Sequence, residues 1–153
     1  MSKMKSFRGK ISSLGSETIH LHTNDGSTGY RIKKFELMSI QPGAVDGEHV
    51  AQIFTIPKTD SSFYDNIDFS DQTCIAAGYI STDSSEVNAD SRTVIFDNVT
   101  FNQDIYVVHT DVKGGLPVNY HIELEQVKLS LDENTVATLK DIRNITQWVN
   151  NII

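Results

Sequence analysis

The sequence predicts an all-β protein, an antiparallel β-sandwich of jelly-roll-like type, closed by a C-terminal α-helix. Three observations predict it. Runs of alternating apolar and polar residues recur along the chain. Clusters of Gly, Asn, Asp and Ser bound them. The apolar period changes from two to three or four only near the C-terminus. The count of runs sets an expectation of about seven to nine strands.

The first sixteen residues carry Lys3, Lys5, Arg8 and Lys10 and no acid, so they read as a basic N-terminal arm. The sandwich is expected over 17–130. In "ETIHLHT" (17–23), Ile19 and Leu21 point one way and Thr18, His20 and His22 the other. "NDGSTG" follows as a turn, and with "YRIKKFELMSI" (30–40) it reads as a β-hairpin. The apolar parity of that second run shifts between Ile32 and Phe35, which predicts a bulge at Lys33 and Lys34. Further strands are expected over 49–56, 73–81, 92–98, 104–110 and 117–130. "PKTDSSFYDNIDFSD" and "STDSSEVNADS" form the longest loops between them, and loops of that length are where binding function usually sits. "VKGGLP" reads as another hairpin, with Gly114 and Gly115 at its flexible centre. From 131 to 153 the pattern is helical. Val136, Leu139, Ile142, Ile145, Val149 and Ile152 make one apolar stripe, preceded by the capping box Ser130 to Glu133, so a helix is expected from about 132 to 150, packed on the sandwich.

The 153 residues suffice for one domain with one core. Apolar residues make up 39% and charged residues 22%, which argues against wholesale disorder. Beyond the first sixteen residues the chain holds 9 basic and 20 acidic side chains, densest from Asp60 to Asp111, where Arg92 is the only cation. Such a body repels a phosphate backbone, so nucleic acid is not an expected partner. The longest apolar runs are too short to span a bilayer, and the basic start lacks the apolar centre of a secretory signal, so neither a membrane nor secretion is expected. Cys74 is the only cysteine, which rules out an internal disulfide; within "TCIAAGYI" it reads as a buried, inert thiol.

Candidate chemistry is sparse. His20 and His22 share a strand face in the H-x-H arrangement of cupin metal sites, but the glutamate such a site needs does not follow. A third ligand would have to come from His49, His109 or His121, and nothing in the sequence brings one there. Glu123 and Glu125 alternate with apolar residues beside Asn119 and His121, so they share one environment, whereas acid and nucleophile in a glycosidase need different ones. Asp65, Asp68 and Asp71 lack the spacing and the glycine of a calcium loop. No nucleophile elbow, phosphate-binding loop or zinc-protease motif occurs. The expectation is therefore a protein without catalytic residues, metal or cofactor, with a cupin-like metal-binding enzyme as the distant alternative.

"FRGKISSLGSETIHLHTNDGSTGYRIKKFELM", "FNQDIYVVHTDVKGGLPVNYHIELEQVKLS" and "DENTVATLKDIRNI" cover well over half of the chain. In phrasing these stretches resemble small virion structural proteins of marine tailed phages, of the kind found in phages of cyanobacteria and of abundant ocean bacteria. The middle, from about 41 to 100, carries no such resemblance. The resemblance implies a part of a phage particle, made in the host cytoplasm, without catalytic residues. Within a virion two positions fit: capsid decoration, as an oligomeric cement protein on the major capsid protein or another virion protein, or a tail connector or host-adsorption piece. The basic start favours the first. Lys3, Met4, Lys5, Phe7, Arg8 and Lys10 are then the expected partner-binding residues, with Met4 and Phe7 as apolar anchors among the charges.

Overall fold

The computed structural model describes residues 3–21, 27–82 and 90–130. The described residues form eight strands: β1 Lys3–Ile11, β2 Gly15–Ile19, β3 Thr28–Ser39, β4 Gly47–Phe54, β5 Cys74–Thr82, β6 Asp90–Ile95, β7 Ile105–Asp111 and β8 Val118–Lys128. A single 3-10 turn, Ser61–Phe63, interrupts the loop between β4 and β5. The strands make two sheets, one in the order β1-β8-β3 and the other β2-β7-β4-β5-β6, and every pairing is antiparallel.

Alternation builds the interior from both sheets. On β8, Val118, Tyr120, Ile122 and Leu124 face inward, and β3 aligns Leu37, Phe35 and Ile32 beside them. The bulge expected at Lys33 and Lys34 is present: the register shifts between Ile32 and Lys34, which returns Phe35 to the inner face. Opposite, β7 supplies Ile105 and Val107, β4 Ala51 and Ile53, and β5 Ala76 and Ile80. All of these belong to one apolar cluster that bridges the two sheets in a sandwich-like arrangement. Burying an aliphatic or aromatic side chain of this kind contributes about 1.5–3 kcal/mol. Where β3 crosses β5, the large side chains Phe35 and Leu37 meet Gly78, and a Cβ there would lie 3.2 Å from each. A smaller cluster, Phe54, Tyr64, Cys74 and Val108, lies under the β4–β5 loop on the other side of the second sheet.

Three expectations are corrected. Residues 3–11 are not a detached arm. Phe7, Gly9 and Ile11 alternate inward and pair with Ile122, Tyr120 and Val118, so the basic segment is a strand of the sandwich and no domain boundary falls at residue 16. Phe7 accordingly packs against the protein's own core and is no anchor for a partner. Thirdly, the segments read as hairpins are crossings between sheets. β2 and β7 lie in one sheet and their successors β3 and β8 in the other, because the same turn chemistry serves an arch as well as a hairpin. Gly115, at φ +68°, takes the left-handed conformation in the β7–β8 crossing. The helix expected over 132–150, the first half of the "NDGSTG" turn and His22 lie outside the described residues.

Candidate functional site

The two edges of the smaller sheet differ. Along β3, Tyr30 exchanges backbone hydrogen bonds with Phe101 at 2.8 and 3.0 Å, the two rings stack at 6.2 Å, and Arg31 Nε donates to Thr100 Oγ1 at 2.9 Å. That edge is partly covered. The outer edge of β1 pairs with no described strand. Lys3, Lys5, Arg8 and Lys10 all lie on it, exposed, and none forms an ion pair among the described residues. Lys5 sits 5.8 Å above the Tyr30 ring, a weak cation–π contact. Met4, Arg8 and Lys10 face away from the core, opposite Glu125, His121 and Asn119. Met4 is 49% exposed. The structure thus brings the expected binding residues together on one strand; of the six only Phe7 packs against the core, while Lys3 and Lys5 share its parity but stay exposed near the open end. Arg8, Glu36, Met38, Asn119 and His121 also line a groove of about 910 Å³ on the neighbouring surface.

The β4–β5 loop is built to hold its shape. Buried Gln52 donates from Nε2 to the carbonyls of Tyr64 and Asn66 at 3.0 and 3.2 Å, and the Tyr64 hydroxyl donates to the carbonyl of Lys58 at 2.6 Å. Asp60, Asp68 and Asp71 each accept from the backbone N–H and the hydroxyl of the residue two further on, a local turn that suits their D-x-[ST] spacing. Lys58 reaches Asp71 at 3.0 Å and lies 4.8 Å from the Phe54 ring centre. Burial pushes the Asp71 carboxyl up, but the Thr73 hydroxyl and N–H together with Lys58 outweigh it and hold it below the usual range. The loop presents Phe63, Ile67 and Phe69 to solvent and encloses a cavity of about 250 Å³ beside Phe54, Phe63 and Asp68. One oxygen of Asp68 and both of Asp71 serve these local contacts, and no group of three metal-ligating side chains converges among the described residues.

The histidines separate. His20 is largely exposed, with Nδ1 3.4 Å from Asp104, and His121 belongs to the outer face of the other sheet, 3.9 Å from Glu123. Glu123 and Glu125 share that outer face. His49 and His109 instead come together inside the sandwich, 1% and 0% exposed, with rings stacked at 5.1 Å and Nδ1 of His49 2.9 Å from Nε2 of His109. Sequence reasoning missed this pair. Its signal was present: His49 shares parity with Ala51 and Ile53, and His109 with Val107 and Ile105, so both point inward.

Beside the pair, Asp111 ties three connections together. Its carboxylate accepts from the N–H groups of Glu48, Lys113, Gly114 and Leu116 at 2.9 to 3.1 Å, and its own N–H donates to Ser13 Oγ. Burial raises its pKa, yet the four N–H donors outweigh that and hold it at about 2. Cys74 is buried and its thiol is pushed up to about 11, chiefly by burial, so it is no nucleophile at neutral pH. No protein-family model matches the chain, and no curated protein is significantly similar to it.

Proposed function

We propose that the chain is a non-enzymatic structural protein of a phage particle, a decoration protein that attaches to the outer capsid surface through strand β1. The observation that carries this reading is the open β1 edge. Among the described residues it offers unpaired backbone groups together with four exposed cations that form no ion pair, on a chain whose net charge is −7. Such an edge suits an acidic strand or surface of the major capsid protein, of another virion protein or of a second copy in a homo-oligomer. Lys3, Met4, Lys5, Arg8 and Lys10 make the contact, without catalysis, metal or cofactor.

The strand pairing supports a jelly-roll, the double-sheet architecture of many viral coat domains. Pairs β1–β8, β8–β3, β2–β7, β7–β4 and β4–β5 follow that order, while β6 stays hydrogen-bonded to β5 and only packs near β3. Fold alone does not carry function, and the resemblance in phrasing to phage virion proteins adds the source. The ordered loop with exposed Phe63, Ile67 and Phe69 favours a second reading, a tail connector or host-adsorption protein, because rigid aromatic displays suit recognition. Copy number decides between the two. Purified virions resolved on a stained gel should contain hundreds of copies per particle; a handful would move the protein to the tail, and none would remove it from the virion.

A further inference from the structure

The hydrogen bonds of the buried histidines fix where their protons sit. His109 Nδ1 lies 3.1 Å from the carbonyl oxygen of Ser12, which only accepts, so that nitrogen carries the hydrogen. In a neutral ring Nε2 of His109 is then bare and accepts, and His49 Nδ1, 2.9 Å away, must donate to it. His49 Nε2 is left as a bare lone pair, buried and without a partner among the described residues. The relay thus runs from His49 through His109 to the backbone of the β1–β2 turn, with both imidazoles in the Nδ1–H form.

A third proton has one place to go. In every arrangement that keeps both hydrogen bonds, it ends on His49 Nε2, an N–H with no acceptor in a buried site. A fourth would set two N–H groups face to face across 2.9 Å and break the pair. Space around Nε2 is tight as well, since a Cβ on Gly47 would lie 2.7 Å from it. The charged group that acts on the pair is Asp111 on β7; Glu17 of β2 is taken up by the Tyr120 hydroxyl of β8, and Glu48 of β4, of opposite parity to His49, accepts from Tyr79. From β5 the side chains alongside are Ile80 and Thr82, neither charged. Burial, the largest influence, lowers the pKa of both histidines, and Asp111 offsets it only in part.

We propose that His49 and His109 form an acid-sensitive latch: the β1–β2 turn stays closed over the end of the sandwich while the buried pair is neutral, and opens when the pair takes up a proton, because only an open turn lets the charged imidazoles reach water. Ser12 is gripped by His109, Ser13 by the N–H of Asp111, and Gly15 closes the same turn through its own bond to Ser12. The turn sets the end of β1, so the latch bears on the strand assigned above to attachment. The latch does not depend on that assignment.

The sign follows from linkage. The pair is neutral when folded and has pKa values below the ordinary 6.5, so its full contribution is present above about pH 6.5 and is lost as pH falls below it. The folded-to-unfolded ratio then falls by up to tenfold per histidine for each pH unit.

Imidazole nitrogen NMR of the intact chain, combined with amide hydrogen exchange from pH 7.5 to 5, tests this. At pH 7.5 two rings should be in the Nδ1–H form. On acidification, exchange at Ser13, Leu14 and Gly15 should rise tenfold or more before the core strands respond, and His49→Phe should flatten that response. An Nε2–H form in either buried ring overturns the proposal. So does a turn whose exchange changes no earlier than that of β8, or an acid response that persists in the His49→Phe chain.

Discussion

Tyr120 on β8 lays its ring over Gly9 of β1 and donates its hydroxyl to Glu17 Oε2 on β2 at 2.5 Å, so one side chain fastens the edge strand and joins the two sheets. The phenol is 7% exposed, and its pKa is raised, first by burial and then by the Glu17 carboxylate. A Cβ on Gly9 would sit 2.8 Å from the Tyr120 oxygen and 3.0 Å from its ring, which is why a residue without a side chain lies in the middle of β1.

Removing that hydroxyl should be felt. Tyr120→Phe leaves the half-buried Glu17 carboxylate without its donor, at a cost of about 1.5–3 kcal/mol. Gly9→Ala should cost about 1–3 kcal/mol by forcing the ring aside. Urea unfolding of both variants measures this, and midpoints equal to that of the parent would show that the contact contributes nothing.

The β4–β5 loop depends on Gln52. Gln52→Leu keeps the volume but leaves the carbonyls of Tyr64 and Asn66 unpaired, and should cost about 1–3 kcal/mol. The readout is local. Limited proteolysis should begin cutting near Phe63 and Phe69 in the variant while leaving the parent intact over the same period.

Asp111 should make the fold acid-sensitive in a second, lower range. Its folded pKa of about 2 lies below the ordinary 3.8, so its contribution is complete above about pH 4 and disappears as pH falls toward 2. The difference corresponds to about 2 kcal/mol. Asp111→Asn should lose that increment at pH 7, and its stability should change less than the parent's between pH 4 and 2. Parallel stability curves for the two chains would refute the assignment.

What could be read from sequence and what could not divide along physical lines. The run around Ile122 alternates, and those around Ile53, Ala76 and Val107 are short apolar runs buried on both faces, so their strands were legible, as was the bulge at Lys33 and Lys34. β1 was not, because Lys3 and Lys5 occupy its inward parity near the open end and Gly9 offers no side chain to mark its alternation. Sheet membership was hidden because Gly114 and Gly115 can turn the chain within a sheet or between sheets. The His49–His109 pair was hidden too. Its members lie 60 residues apart, and only the β4–β7 register brings them together. Of the expected binding surface, the cations were legible from charge alone, but the inward turn of Phe7 needed the pairing with Ile122.

Because residues 3–11 are a paired strand, deleting them would bare Tyr120 and Ile122, so attachment must be tested with side-chain changes that leave the strand in place. Lys3→Gln, Arg8→Gln and Lys10→Gln alter exposed positions, and together they should change stability little, since surface substitutions usually stay within about ±0.5 kcal/mol each. Exposed ion pairs contribute about 0–1 kcal/mol apiece, so three should weaken binding by about tenfold or more on a surface that engages them all. The most direct test is co-sedimentation of the parent and the triple variant with particles stripped of this protein, over a range of salt. Parent binding should weaken as salt rises, and the triple variant should bind tenfold or more weakly at low salt. Equal binding by the two chains, insensitive to salt, would contradict attachment through the charged β1 edge.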